Sequence, residues 1–142
     1  MVAVDAAPEA RPSRTTGVLL GVVRVLAVIQ VVAVMGQASF AGLFLSGRYD
    51  MLGLHQHGAD LVWYGGLLQL LLTLGFGWSS HSWAAAGFTA LIVIAETAQY
   101  FAGVAGALYL HIPLGVSIAV GVVLFAVWIF RWKRPSRSSE QP

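Results

Sequence analysis

The chain has 142 residues, 58% hydrophobic and 10% charged, and its mean hydropathy of +0.78 lies far outside the range of a water-soluble domain. There is no cysteine, which excludes disulfides, thiolate metal sites, iron–sulfur clusters and cysteine nucleophiles and leaves only histidine or oxygen to hold a metal. The net charge of +2 reflects a basic tail rather than a nucleic-acid surface, because Glu96 is the one formal charge between Asp60 and Arg131.

A helix needs about 20 apolar residues to cross a hydrocarbon core about 30 Å thick, so this length accommodates four spans with short connections. The expected architecture is all-α: an integral membrane four-helix bundle over residues 17–130. Residues 1–16, with Asp5, Pro8, Glu9, Arg11 and Pro12, lack hydrophobic periodicity and read as a disordered cytoplasmic arm. The first span is expected over 17–45, too long an apolar run for a cleaved signal peptide. Ser46 to Gln56 carries Gly47, Arg48, Tyr49, Asp50 and Gly53 and reads as an external loop. A second span follows over 57–76. Gly77 to Ser82 makes a tight connection flanked by Trp78 and Trp83, whose rings prefer the membrane interface, and His81 within it reads as a solvated loop residue. The third span is expected over 83–104, a turn is marked by Gly103 and Gly106, and the fourth span covers 111–130 with Pro113 in its first turn. Residues 131–142 read as a basic tail with Trp132 as an interfacial anchor.

Basic residues set the orientation. The tails hold Arg11, Arg14, Arg131, Lys133, Arg134 and Arg137, whereas the first loop holds only Arg48, so both termini are expected on the cytoplasmic side of a bacterial plasma membrane. His55, His57 and His111 then lie at the outer surface.

Each span carries polar or small residues at helical spacing, which is the pattern of a face turned away from lipid. Gln30 and Gln37 mark the first, and Ala59, Gly66, Gln69 and Thr73 the second. Thr89, Glu96, Gln99, Tyr100 and Gly103 mark the third. Such seams serve equally as helix-packing surfaces and as interhelical hydrogen-bond glue. A carboxyl at Glu96, near mid-membrane, must be protonated, paired or hydrated, which makes it a functional candidate. With Gln99, Tyr100, Gln37 and Gln69 it outlines a proton or quinone pocket.

His55 and His57 are about 200° apart around a helix axis, so at most one points into the bundle. His111 starts the fourth span at the same level, and Gly115 one turn on leaves space beside its imidazole. Two imidazoles on facing helices with small residues between them meet the requirement for bis-histidine ligation of haem, and Arg48 is placed to pair with a propionate. His55, His57 and His111 are thus the candidate ligands. His57 beside Asp60 offers a different site, a carboxylate-oriented imidazole for copper or zinc, and histidines at an interface also need no cofactor, since their rings reach water.

The stretches LHQHGADLVWYGGLLQLLL and ETAQYFAGVAGALYLHIPLGV resemble one four-helix half of the haem A synthases and small bacterial haem-b bundles. The resemblance implies that a histidine at the outer start of the second helix and another at the outer start of the fourth ligate one haem b. The synthases carry a glutamate shortly before the second-helix histidine and an arginine just after it; Met51 to Leu54 precede His55 here, and Gln56 or Gly58 follow the histidines. The implied function is a small b-type cytochrome, or a haem-holding protein for respiratory-enzyme assembly. Its expected partners are the bilayer, quinone, a larger respiratory complex or further copies of the chain. A noncatalytic accessory subunit and a small proton-coupled transporter using Glu96 are the competing expectations.

Overall fold

The computed structural model describes residues 14–133, and within them every regular element is helical. The helices are α1 (Arg14–Leu45), α2 (Met51–Ser80), α3 (Ala84–Val104) and α4 (Leu108–Arg131). Each is long and apolar enough to cross a membrane. Helix is the form such sequences take, because it satisfies every backbone N–H and C=O within the segment.

The helices form a ring, α1 against α2, α2 against α3, α3 against α4 and α4 against α1, with no backbone contact between the diagonal pairs. The bundle is apolar outside, and its interior mixes apolar core with buried polar side chains. Gln30, Gln69, Thr73, Thr89 and Glu96 are buried, while Val32, Leu61, Leu71, Leu91, Ile94 and Phe101 are exposed. In water that distribution would leave apolar surface uncovered and strand polar groups; in lipid it covers the outside and lets inner polar groups pair.

Two core layers stack along the axis. Val23, Ala27, Phe76, Ala85, Phe125 and Ile129 pack at the end that carries the termini. Val34, Val62, Ile118 and Val122 pack one level further along. Between them Thr73 and Thr89 hydroxyls lie 2.7 Å apart, and Gln69 Nε2 donates to Val23 O at 3.1 Å.

The helices extend beyond the expected spans at several ends. α1 begins at Arg14, so residues 14–16 are helical and not part of an arm; Thr16 Oγ1 donates to Ser79 O and ties this first turn to the end of α2. Residues 1–13 and 134–142, the rest of the expected arm and most of the tail, lie outside the described residues. The external loop shrinks to residues 46–50, because α2 starts at Met51. Hydropathy ends where the chain turns polar, but hydrogen bonding carries a helix on past the hydrocarbon. α4 likewise starts at Leu108, which places Pro113 inside the helix rather than in its first turn; the bond its ring nitrogen cannot donate would have gone to Tyr109.

Both hairpin turns at the far end close in the same way. Gly47 (φ +94°) and Gly106 (φ +68°) adopt the left-handed conformation that costs glycine nothing. Arg48 N–H donates to Leu43 O and Ala107 N–H to Ala102 O, each reaching back across a helix end. Arg48 and Asp50 pair on the first turn at 3.0 Å. The hydrogen bond and charge of Arg48 hold the Asp50 carboxyl below its usual range, but both groups are open to solvent, where such pairs stabilise little.

The α2–α3 connection is tighter than expected, since α2 runs through Ser80 and only residues 81–83 link it to α3, with His81 left-handed at φ +56°, ψ +30°. The left-handed region disfavours residues with a Cβ by about 1–2 kcal/mol. His81 is exposed, as the solvated reading requires. His81→Gly is therefore expected to stabilise the fold by about 0.5 kcal/mol, after the extra freedom glycine gives the unfolded chain is subtracted. Thermal unfolding in detergent measures this, and a lowered Tm would show that the imidazole contributes more than strain removes.

Candidate functional site

At the end holding the α1–α2 and α3–α4 turns, His55 of α2 and His111 of α4 reach across the bundle until their ring centres are 6.0 Å apart, with planes inclined at 77°. The two rings come from diagonal helices, whose backbones make no contact. His55 Nδ1 lies 3.2 Å from Gln37 O on α1, and His111 Nδ1 lies 3.0 Å from Gln99 O on α3. A carbonyl oxygen can only accept, so each Nδ1 carries the proton and donates. Each Nε2 then bears its lone pair, and no hydrogen bond within the described residues occupies it. A backbone carbonyl on Nδ1 is the usual way a protein fixes the tautomer and ring angle of a ligating histidine.

Glycine makes the His111 contact possible. A Cβ on Gly103 would come within 2.8 Å of His111 Cε1 and 3.0 Å of its Nδ1, so the ring lies directly on the α3 backbone. On α1 the residue one turn beyond Gln37 is Ala41, which lines the same cavity. Gly58 and Gly115 accept the side-chain amides of Gln37 and Gln99 respectively, where a Cβ would collide with each Nε2.

The space beside the imidazoles is a cavity of about 410 Å³, lined by His55, His111, Gly103, Gly115, Gln99 and Glu96 among others. Pockets that enclose a small-molecule cofactor run from about 300 to 1,000 Å³. Glu96 marks the deep end, 4% exposed. Its Oε1 accepts from Gln30 Nε2 at 3.4 Å, that amide also donating to Val62 O at 3.1 Å. Among the described residues its Oε2 has no hydrogen-bond partner, and neither do the side-chain oxygens of Gln37, Gln69 and Gln99. Gly66 gives Glu96 room: a Cβ there would collide with Oε2.

Not every expected site residue joins this group. His57 is exposed and takes no part in the cavity. The choice between His55 and His57 goes to His55, because α2 is already helical from Met51 and turns residue 55 inward. Among the described residues no group of three or more His, Cys, Asp or Glu side chains could hold a metal ion, so the trio His55, His57 and His111 does not assemble and a pair remains. Asp60, a possible partner for His57, instead lies beside the Tyr100 hydroxyl. Arg48 is engaged with Asp50 on the exposed turn and does not line the cavity. Of the proposed proton or quinone pocket, Glu96, Gln99 and Tyr100 line the cavity. Gln37 contributes through its backbone, and Gln69 sits deeper beside a separate void of about 10 Å³.

One charge escaped the sequence reading. Arg24 lies inside the first span, and its Nε and Nη2 donate to Ile129 O at 3.1 Å and Phe130 O at 3.2 Å at the end of α4. Its guanidinium lies 5.5 Å from the Phe130 ring centre. It satisfies carbonyls that a helix end leaves without partners and complements the dipole there.

Comparisons of the chain with protein-family models, with curated proteins and with solved structures found no match.

Proposed function

We propose that this chain is a multi-pass protein of the bacterial plasma membrane that holds one haem b between His55 and His111. The haem would serve electron transfer from a quinol or protein donor, or be held for delivery during assembly of a respiratory enzyme. The observation that carries the reading is the pair of imidazoles, each fixed through Nδ1 by a backbone carbonyl, with ring centres 6.0 Å apart beside a cavity of about 410 Å³. A metal bonded at about 2.0–2.1 Å to each of two opposed imidazole nitrogens keeps the ring centres roughly 6 Å apart. The donor set suits haem iron, with nitrogen ligands of matched tautomer and, among the described residues, no third ligand to close the site.

Within that reading the residues divide the work. His55 and His111 would hold the iron through Nε2, and the Gln37 and Gln99 carbonyls hold the rings and raise their basicity. Gly103 seats the His111 ring and Gly115 the Gln99 amide, and both line the cavity. Val34, Val62 and Ile118 close it below with apolar surface. Haem contributes a one-electron couple, set by its ligands, burial and nearby charge.

Charge placement supports cytoplasmic termini. Arg14, Arg24, Arg131 and Lys133 gather at the terminal end, whereas Arg48, the one cation at the histidine end among the described residues, is neutralised by Asp50. Seven arginines against one lysine fit a high-GC bacterium.

The test is optical. Protein purified in mild detergent from haem-replete cells is expected to show the reduced-minus-oxidised bands of a six-coordinate, bis-imidazole b haem at one haem per chain. A colourless preparation that also fails to bind added haemin would remove the proposal and favour an accessory subunit.

A further inference from the structure

The two hairpins repeat each other in register. Placing His55 on His111 pairs Val62 with Ile118, Gly66 with Val122, Gln69 with Phe125 and Thr73 with Ile129, and all eight of these are buried. Placing Gln37 on Gln99 pairs Val23 with Ala85, Ala27 with Thr89 and Val34 with Glu96, again all buried. The imidazole site lies where the two halves meet.

The two halves differ in chemistry at several paired positions, and along one seam the difference is continuous. Between α2 and α3 stand Gln56, Asp60, Trp63, Glu96, Thr97 and Tyr100. Their counterparts between α4 and α1 are Ile112, Val116, Ala119, Val34, Met35 and Ala38, every one apolar. The polar seam is a connected structure: Asp60 lies beside the Tyr100 hydroxyl, Trp63 Nε1 donates to Thr97 Oγ1 at 3.0 Å, and the Trp63 and Tyr100 ring centres are 6.5 Å apart. Gln56, Asp60, Tyr100 and Glu96 all line the imidazole cavity. The seam runs from the exposed Gln56 inward to the unpartnered Oε2 of Glu96. A scaffold has no use for this asymmetry, since Val34 shows that the same place in the bundle packs well with an apolar side chain.

We infer that Glu96 is a redox-linked proton site, loaded through the α2–α3 seam; the inference rests on the haem reading. The oxidised haem core between two neutral imidazoles carries one net positive charge, and no lysine or arginine lines the cavity. The Glu96 carboxylate balances that charge in a medium of low dielectric, where the interaction is strong. When one electron arrives from an outside donor, iron(III) becomes iron(II) and the balance is lost. One proton from water then passes Gln56, Asp60 and Tyr100 and binds Glu96; on oxidation the electron leaves to the acceptor and the proton returns to water. The ionisable groups facing Glu96 are Asp60 and His55 on α2, Tyr100 on α3 and His111 on α4, while α1 presents Gln30.

Redox titration of the haem-loaded protein at a series of pH values tests this. The wild-type midpoint is expected to fall as pH rises, approaching 59 mV for each tenfold drop in proton activity, the limit of one proton per electron. Glu96→Gln is expected to flatten the dependence. Wild-type infrared difference spectra should gain a protonated-carboxyl band on reduction, a readout that needs no variant. A coloured protein with a flat wild-type midpoint, or a slope that survives Glu96→Gln and vanishes in Asp60→Asn, overturns this inference and leaves the haem reading intact. Absence of any haem band removes both.

Discussion

His111→Ala is expected to abolish the six-coordinate haem spectrum, and His55→Ala to do the same, with haem affinity falling at least about 100-fold in each case. The basis is that each imidazole is the sole candidate ligand from its side of the cavity: the exposed His57 points elsewhere, and no third His, Cys, Asp or Glu is close enough to substitute among the described residues. Losing a ligand should cost more than losing a group that merely orients one, for which about 10–100-fold is usual. Truncation opens a space the size of an imidazole, so adding free imidazole to either variant should restore the spectrum. Ligand replacement of this kind separates loss of coordination from loss of fold. His57→Ala and His81→Ala, changed in the same way, should leave the spectrum untouched. A full spectrum in His111→Ala would remove the proposed ligation, whatever the state of His55.

Much of this arrangement is legible in the residues, and what is not has physical causes. Four helices follow from apolar runs that only helix can satisfy in lipid, and His111 and Glu96 stand out because polar groups there are costly. The helix ends were misjudged where hydropathy was taken as the limit: α2 extends from Met51 through Ser80, and α4 begins at Leu108. Arg24 disappeared into the long apolar average of α1, although its bonds to Ile129 O and Phe130 O tie the first helix to the last. The repeat of the hairpins is hidden in the sequence, since the paired positions share burial and not chemistry; Gly66 faces the same interior as Val122, and Gln69 the same as Phe125. Selection of His55 over His57 depends on the phase of α2, which a loop reading of residues 46–56 cannot supply. Nor does a sequence show that two glutamines at matching depth would hold the imidazoles with their backbones rather than their amides.

Gly103 carries the second large effect. In the sequence it is a small residue near a turn, yet its missing Cβ is what lets the His111 ring reach the carbonyl one turn earlier on α3. In Gly103→Ala the new methyl would sit 2.8 Å from His111 Cε1 and 3.0 Å from Nδ1, closer than atoms of that kind approach, and the neighbours are a rigid ring and helix backbone. The ring must withdraw toward α4, lengthening the 3.0 Å bond to Gln99 O and moving Nε2 with it. Alanine in place of glycine favours helix by roughly 0.8–1 kcal/mol where it fits, so the apo bundle is expected to keep or slightly raise its Tm while haem affinity falls about 10–100-fold, as for other groups that orient a ligand. That opposition between stability and affinity is the diagnostic result. Titration of haemin into the purified variant, beside thermal unfolding of the apo form, measures both. Should the variant bind haem as tightly as the parent, the close seat of His111 on α3 is not what positions the ligand, and the carbonyl of Gln99 loses its assigned role.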